Sequence, residues 1–514
     1  MGGWWWAGLQ RLTSIAKLSL CGCPTTAELL FLSLVMHHHP HLPETLRELH
    51  IGECGCDNYE QELTTSSTCS SQLSPPPTLP SIPHNNVDAS AGALRAFTSL
   101  KELSIWHSPN FLQKWGSCGL PSSLERLTIA DDDSLSHEWL SACLHDLISL
   151  KALTLAHLEN LQLLPNLSGV TSLESLEIES CPSMEMFEAM SLHSSLKTLT
   201  LIDCKDLRSL QNLSSLTSLE TLLIQSCPSI QTLGLEVMSL HTSLKSLTLR
   251  GCKNLHSLPY LSSLPSLETL EISNCHSIKT LDLEVLSLHT SLKSLTLRHC
   301  KNLHTLPDGT TLPSLETLEI SNCRSIEMLE VMSRHTSLKS LTLKDCKNLH
   351  SLTNWSSFFS LVLQRLPENL HSLVLPLNDL QAVYISECPS LESLPDTLSY
   401  FSSLQTLKIS HCPSIQTWPT NGLPSSLQTL QIINCPALTG RFKDKPKSMC
   451  AEVAHIPCNN VKMRNVPTKL TQDVPCTPSV ITTNLESEKN SAGSGIADAN
   501  PPMHGSKRNN LLSS

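Results

Sequence analysis

A leucine-rich-repeat solenoid is the fold class this sequence predicts: an α/β repeat in a right-handed arc, with a parallel concave β-sheet and irregular convex loops. Three regularities predict it. The line Leu-x-x-Leu-x-Leu/Ile-x-x-Cys returns every 23 to 26 residues, as in Leu244, Leu247, Leu249 and Cys252, then Leu267, Leu270, Ile272 and Cys275. A longer period overlies it: the copies at Leu244, Leu292 and Leu338 read Ser-Leu-Lys-Ser-Leu-Thr-Leu, and those at Leu267 and Leu315 read Ser-Leu-Glu-Thr-Leu-Glu-Ile. Thirteen of the 21 cysteines fall at one repeat position.

The elements follow in chain order. Residues 1–56 hold the first repeats, Ile15–Cys23 and Leu46–Cys54. Residues 57–95 break the period with Thr64-Thr65-Ser66-Ser67 and Pro75-Pro76-Pro77, a composition expected of an extruded loop or linker. Residues 96–440 form the main solenoid. Within it the register is ambiguous between 352 and 404, because Leu370, Leu373 and Leu375 match the strand pattern and so do Leu380, Val383, Ile385 and Cys388, only ten residues on. One of the two is expected to be a distorted turn. The repeats stop after Leu438; residues 441–470 read as a cap-like segment and 471–514 as a disordered tail, rich in Ser, Asn and Pro.

Each repeat supplies a short strand whose leucines point inward and whose alternate residues face out. The cysteine position turns inward just after the strand, where a free thiol acts as a small hydrophobe. That predicts a reduced column from Cys23 and Cys54 through Cys181, Cys252 and Cys300 to Cys435, and with it a cytoplasmic location. The residue after the first leucine alternates in sign over eleven repeats, from Lys101 and Glu125 to Glu316 and Lys339. Neighbouring strands lie about 4.8 Å apart, so each lysine is expected between two glutamates. The stripe ends at Gln381, Gln405 and Gln428.

Composition and motifs exclude several functions. The net charge is −11, with +4 on residues 440–514 and −15 on the rest, which argues against non-specific nucleic-acid binding. The longest apolar run, near Ala27–Met36, is too short to span a bilayer, and no signal peptide is evident. There is no P-loop, dinucleotide fingerprint, nucleophile elbow or zincin helix, so no catalytic residue and no cofactor is expected. Cys21-x-Cys23 with Cys54-x-Cys56 has the wrong spacing for a usual zinc site, and His37-His38-His39-x-His41 reads as exposed loop, so no metal is expected either.

What the outward positions offer is recognition. Trp106 and Tyr384 fall on them, as do Arg250, Arg298 and Lys344, with Glu271 and Glu319 beside the arginines and His411 near the Tyr384 end. Trp, Tyr and Arg are the side chains that dominate protein interfaces. These eight residues are the candidate protein-binding set on the concave face.

The repeats Ser-Leu-Glu-Thr-Leu-Glu-Ile-Ser-Asn-Cys and Asn-Leu-His-Ser-Leu-Pro resemble the leucine-rich-repeat half of plant intracellular immune receptors, the coiled-coil nucleotide-binding type found particularly in grasses. Ala454-His455-Ile456-Pro457 is similar to the cap that ends such receptors, and the Cys-Pro pairs such as Cys181-Pro182 and Cys412-Pro413 fit the same family. The resemblance covers roughly residues 9–460. It implies plant innate immunity: a protein ligand, whether a pathogen effector, a guarded host protein or a nucleotide-binding receptor module, met on the concave face. The coiled coil and the P-loop module of that family do not occur in this chain. The competing expectation is a substrate adapter of an F-box-type ubiquitin ligase, which also uses cysteine-bearing repeats; it calls for some forty residues of F-box before the repeats, and about a dozen precede Ile15.

Overall fold

A computed structural model describes residues 15–21, 42–52, 94–464 with interruptions, and 474–475. The interruptions are 109–110, 116–118, 189–191, 193, 234–242, 257, 259–263, 282–290, 305–311, 327–337, 350–359, 367–379, 445–452. Cys23, Cys54 and Cys56, the histidine run, most of the 57–95 insertion and nearly all of the 471–514 tail lie outside the described residues.

Twenty-one strands follow one another among the described residues. They are β1 (Lys17–Cys21), β2 (Glu48–Gly52), β3 (Glu102–Trp106), β4 (Arg126–Ala130), β5 (Ala152–Ala156), β6 (Ser175–Glu179), β7 (Met186–Glu188), β8 (Thr198–Ile202), β9 (Ser209–Gln211) and β10 (Thr221–Gln225). Next come β11 (Ser246–Arg250), β12 (Thr269–Ser273), β13 (Ser294–Arg298), β14 (Thr317–Ser321), β15 (Ser340–Lys344) and β16 (Ser360–Gln364). The last are β17 (Ala382–Ser386), β18 (Thr406–Ser410), β19 (Thr429–Ile433), β20 (Val461–Arg464) and β21 (Val474–Pro475). All but β7 and β9 form one 19-stranded sheet, each strand parallel to the next in full register until the antiparallel β21. β7 and β9 pair separately in the return segments.

The repeat pattern explains the burial. In β11 the leucines Leu247 and Leu249 are buried while Ser246, Thr248 and Arg250 are half-exposed, and the same alternation recurs down the sheet. The inward leucines and isoleucines of every rung join one continuous apolar core. The cysteine column extends it: Cys181, Cys204, Cys227, Cys252, Cys275, Cys300, Cys323, Cys346, Cys388, Cys412 and Cys435 are all buried and unbridged. Each Sγ of the middle rungs points at a main-chain carbonyl of the rung before, as Cys275 does toward Leu249 O at 3.7 Å. Burial pushes the Cys181 and Cys346 thiols up to about 12. Contact with a neighbouring thiol, together with burial, raises Cys227, Cys252 and Cys300 as well. Their neighbours Cys204, Cys275 and Cys323 are shifted the other way, lowered by the hydrogen bond from the adjacent thiol.

A second column is written in the backbone. The residue directly after every main-sheet strand from β3 to β19 has positive φ, from His107 (45°) through Asn274 (57°) and His299 (56°) to Asn434 (53°). Asn, Asp and His tolerate that left-handed conformation better than most residues, and they fill most of these positions. The turned N–H still bonds the strand-end carbonyl of the next rung, as Asn274 N–H does to Arg298 O at 2.9 Å.

Two expectations about register are corrected. The sheet contains a strand that the leucine pattern did not mark, β16, paired with β15 on one side and β17 on the other. Its repeat is Phe358, Leu361, Leu363, Leu366, with Phe for the first leucine and Leu for the cysteine, so the consensus hides it. The copy at Leu380 is the next rung, and the copy at Leu370 lies outside the described residues. The strands also continue past Leu438. After the helix Pro436–Asp444, Ile456 packs into the core, His455 Nε2 lies 2.9 Å from Pro424 O, and β20 adds one more parallel strand. Leu94, within the segment assigned to the insertion, is fully buried in a short helical turn over Leu94–Ala96.

Candidate functional site: the concave sheet face

Three outward side chains per strand line the concave face, and their charges divide it into three zones. On β1 to β10 the charged outward residues are Lys17, Glu48, Glu102, Arg126, Glu177 and Glu179. Lys17 pairs with Glu48 at 2.9 Å and Arg126 with Glu102 at 3.1 Å, leaving an acidic excess. Trp106 stands here, 40% exposed. Of the described residues of the return loop, Phe111 and Leu112 go into the core. Beside the tryptophan on β2 sits Gly52 at φ +135°, where a Cβ would lie 1.8 Å from the Trp106 carbonyl oxygen, so only glycine fits.

On β11 to β14 the charges balance. Arg250 grips Glu271 with two bonds, Nε to Oε1 at 2.9 Å and Nη2 to Oε2 at 2.8 Å. Arg298 does the same to Glu319 at 3.1 and 2.9 Å and leans back on Glu271 at 3.6 Å. The result is a ladder, Arg250–Glu271–Arg298–Glu319, that steps diagonally from the fifth position of one strand to the third of the next. The Arg250 guanidinium holds the Glu271 carboxyl below its usual range. Paired forks of this kind are the strong form of surface ion pair.

On β15 to β20 the ladder lapses. Lys344 occupies the place of Arg250 and Arg298, but the next rung carries Val362 where they have glutamate. No carboxylate among the described residues lies within ion-pair reach of Lys344. Tyr384 follows on β17, with Lys408 Nζ over its ring at 5.2 Å from the centroid. Lys462 and Arg464 complete the zone, and none of its outward strand positions is acidic. Two acids stand at the rim of this zone, where Arg365 bonds both Glu387 at 2.5 Å and Asp345 at 3.1 Å. Arg365 and Glu387 are also the two members of the left-handed column least suited to it, with φ of 49° and 53°. Unfavoured backbone held in place by ion pairs marks this as the irregular stretch of the solenoid.

The structure thus brings Arg250, Glu271, Arg298 and Glu319 together, sets Lys344 and Tyr384 in the zone beyond, and leaves Trp106 far away near the other end. His411 is corrected: it follows β18 in the left-handed column, at the rim rather than on the strand face, with Nε2 2.9 Å from Asn434 Nδ2. Val362, Lys408 and Lys462 went unremarked in the sequence. Lys408 was readable as an outward position of a regular repeat, whereas Val362 needed the hidden register of β16.

The Lys/Glu stripe lies along the flank. Its side chains pair one way: each lysine reaches the glutamate before it, as Lys245 to Glu220 at 2.8 Å, Lys293 to Glu268 at 2.9 Å and Lys339 to Glu316 at 2.9 Å. The expected two-sided contact is realised at Glu125, which takes Lys101 and Lys151, both at 2.8 Å. Those two ammonium groups hold its carboxyl down to about 2. Elsewhere one ammonium lies against one neighbour.

Among the described residues no group of three or more His, Cys, Asp or Glu side chains is placed to hold a metal ion, and no helix is long and apolar enough to cross a membrane. Fold and face together define the class: a leucine-rich-repeat scaffold of the protein-interaction kind. Residues 233–366 and 281–413 match the family described as plant disease resistance protein RPS2-like, leucine-rich repeats. None of the curated proteins matches the chain. Among solved structures, the chain is similar to the leucine-rich-repeat domain of the type III effector XopL, with 25% identity, 38% of this chain and 69% of that one covered, and a TM-score of 0.32. It is likewise similar to a leucine-rich-repeat protein of Leptospira interrogans, with 19% identity, 57% and 80% covered, and a TM-score of 0.37. YopM from Yersinia enterocolitica gives 20% identity, 65% and 69% covered, and a TM-score of 0.34.

Proposed function

We propose that the chain is a protein-recognition domain of plant innate immunity, working in the cytoplasm either to sense a pathogen effector or a guarded host protein or to regulate a nucleotide-binding immune receptor. The observation that carries the reading is the match of residues 233–413 to the repeats of plant disease resistance proteins, coinciding with the stretch where the concave face changes from a closed ion-pair ladder to open lysines and an aromatic ring. The buried thiols support a reducing compartment. The grass-type coiled-coil class rests on the Ala454-His455-Ile456-Pro457 segment, which packs on the last rungs through Ile456.

In this reading the partner meets β15 to β19, at the Tyr384 end. Irregular segments of a repeat scaffold vary without disturbing the core, and that is where such proteins hold specificity. The test is a cell-death or binding assay with a cognate ligand, comparing Tyr384→Ala and His411→Ala with Trp106→Ala. Loss with Tyr384→Ala and retention with Trp106→Ala is the expected result. Loss confined to Trp106→Ala moves the site to the other end.

A further inference from the structure

The ladder on β11 to β14 has a rule: every basic side chain at the fifth strand position meets a glutamate at the third position of the next strand. Lys344 obeys the first half of the rule and Val362 breaks the second. Lys408 and Lys462 extend the cationic series, three and five rungs further on, with no outward acid on the strands between. Lys408 already lies over Tyr384 and presents its charge above an aromatic floor.

We propose that this face binds an extended acidic peptide segment of a partner protein, whose first carboxylate takes the place of the missing glutamate beside Lys344. Spacing fixes the pattern. Three rungs separate Lys344 from Lys408, about 14 Å, and two separate Lys408 from Lys462, about 10 Å, at some 4.8 Å per strand. An extended chain advances about 3.3 Å per residue, so acids at positions i, i+4 and i+7 meet the three lysines, and the long lysine stems absorb the sideways step from the fifth position to the third. The residue at i+2 falls over Val362 and Tyr384 and is best apolar. The charge is complementary, and the lane runs across the strands. Discrete lysines at set intervals over an aromatic ring fit carboxylates on a peptide better than the continuous charge of a nucleic acid, and the chain as a whole is acidic.

This inference rests on the partner side being β15 to β19, as argued above, and extends it one strand to β20; a direct measurement tests it with the full chain. The probe is a fluorescein-labelled peptide, Gly-Glu-Ser-Leu-Ser-Glu-Ser-Ser-Glu-Gly, followed by fluorescence anisotropy. Saturable binding that weakens with salt is expected, about tenfold or more below it for the same peptide with Gln for Glu. Val362→Glu closes the ladder onto Lys344 and is expected to cut affinity about tenfold without lowering the melting temperature, since the site is half-exposed. If Val362→Glu does not fold, Lys344→Gln and Lys408→Gln carry the same test. Unchanged binding in all of these, or equal binding by a single-stranded oligonucleotide of the same charge, overturns the proposal. The two readings fail separately. Recognition in cells that is lost with Tyr384→Ala while the peptide does not bind keeps the site and removes the acidic lane. Peptide binding that persists while recognition ignores Tyr384→Ala keeps the lane and moves the recognition site elsewhere on the chain.

Discussion

Strands β11 to β14 and strands β15 to β19 share a backbone plan, an inward pair of aliphatic residues and a left-handed residue after the strand, yet they treat charge in opposite ways. The first group satisfies its arginines internally: Glu271 is only 16% exposed at the side chain, between Arg250 and Arg298. The second group keeps the cations and omits the acids. A solenoid core is indifferent to what its outward positions carry, so a ladder closed in one zone and open in the next reports what that zone faces, and the closed zone serves as the internal control for the open one.

The largest effects test whether the two groups do share a core. Ile320→Ala in β14 and Ile409→Ala in β18, both fully buried, should each destabilise by about 3 kcal/mol. Urea unfolding followed by circular dichroism reads it; a loss at one site alone would break the comparison. Glu271→Gln comes next. It leaves two guanidinium groups without their shared carboxylate and should cost on the order of 1 kcal/mol, allowing for solvent screening, while Lys344→Gln should stay within about 0.5 kcal/mol. Equal costs at the two sites would show that Lys344 has a partner after all.

Smaller still is the flank. Glu268→Lys places three like charges in a row beside Lys245 and Lys293, and the melting temperature should fall measurably at low salt and recover at high salt. No shift at low salt would make the stripe a relic of duplication. The last effect is a pH dependence. Glu125 is depressed to about 2 by Lys101 and Lys151. A depressed carboxylate contributes above its unfolded value, roughly 4.3, and the contribution is lost as pH falls through its folded value. Lys101→Gln should therefore flatten the decline of the melting temperature between those two pH values, and a decline as steep as in the parent chain would dismiss the triplet.

Most of the fold was legible because the repeat puts leucine at positions that only burial explains; Leu295, Leu297 and Cys300 announce β13 without ambiguity. What escaped was β16, because Phe358 and Leu366 keep the hydrophobicity of the repeat while changing its letters, and β20, because Val461 and Met463 carry the alternation with no leucine at all. At the site, sequence placed Arg250 and Glu271 near each other through the two-repeat period, but the fork between them and the hole at Val362 depend on lateral register across strands, which a one-dimensional period leaves open once a rung is hidden. His411 was misplaced by one residue for a local reason: the strand ends at Ser410, and φ of 55° turns the next side chain out to the rim.

The left-handed residue that closes every main-sheet strand from β3 to β19 acts as a ruler. By turning the chain aside at the same place in each rung, it holds the main-sheet strands at five residues and the exposed lattice at three cells wide, about 16 Å of strand. That width admits one extended chain or a single helix of about 10–12 Å diameter, and not a second sheet laid flat. Diversity on such a surface can grow only along its length, one row at a time. Each added row brings three new letters to the address a visitor must spell, and leaves the spelling of every other row untouched.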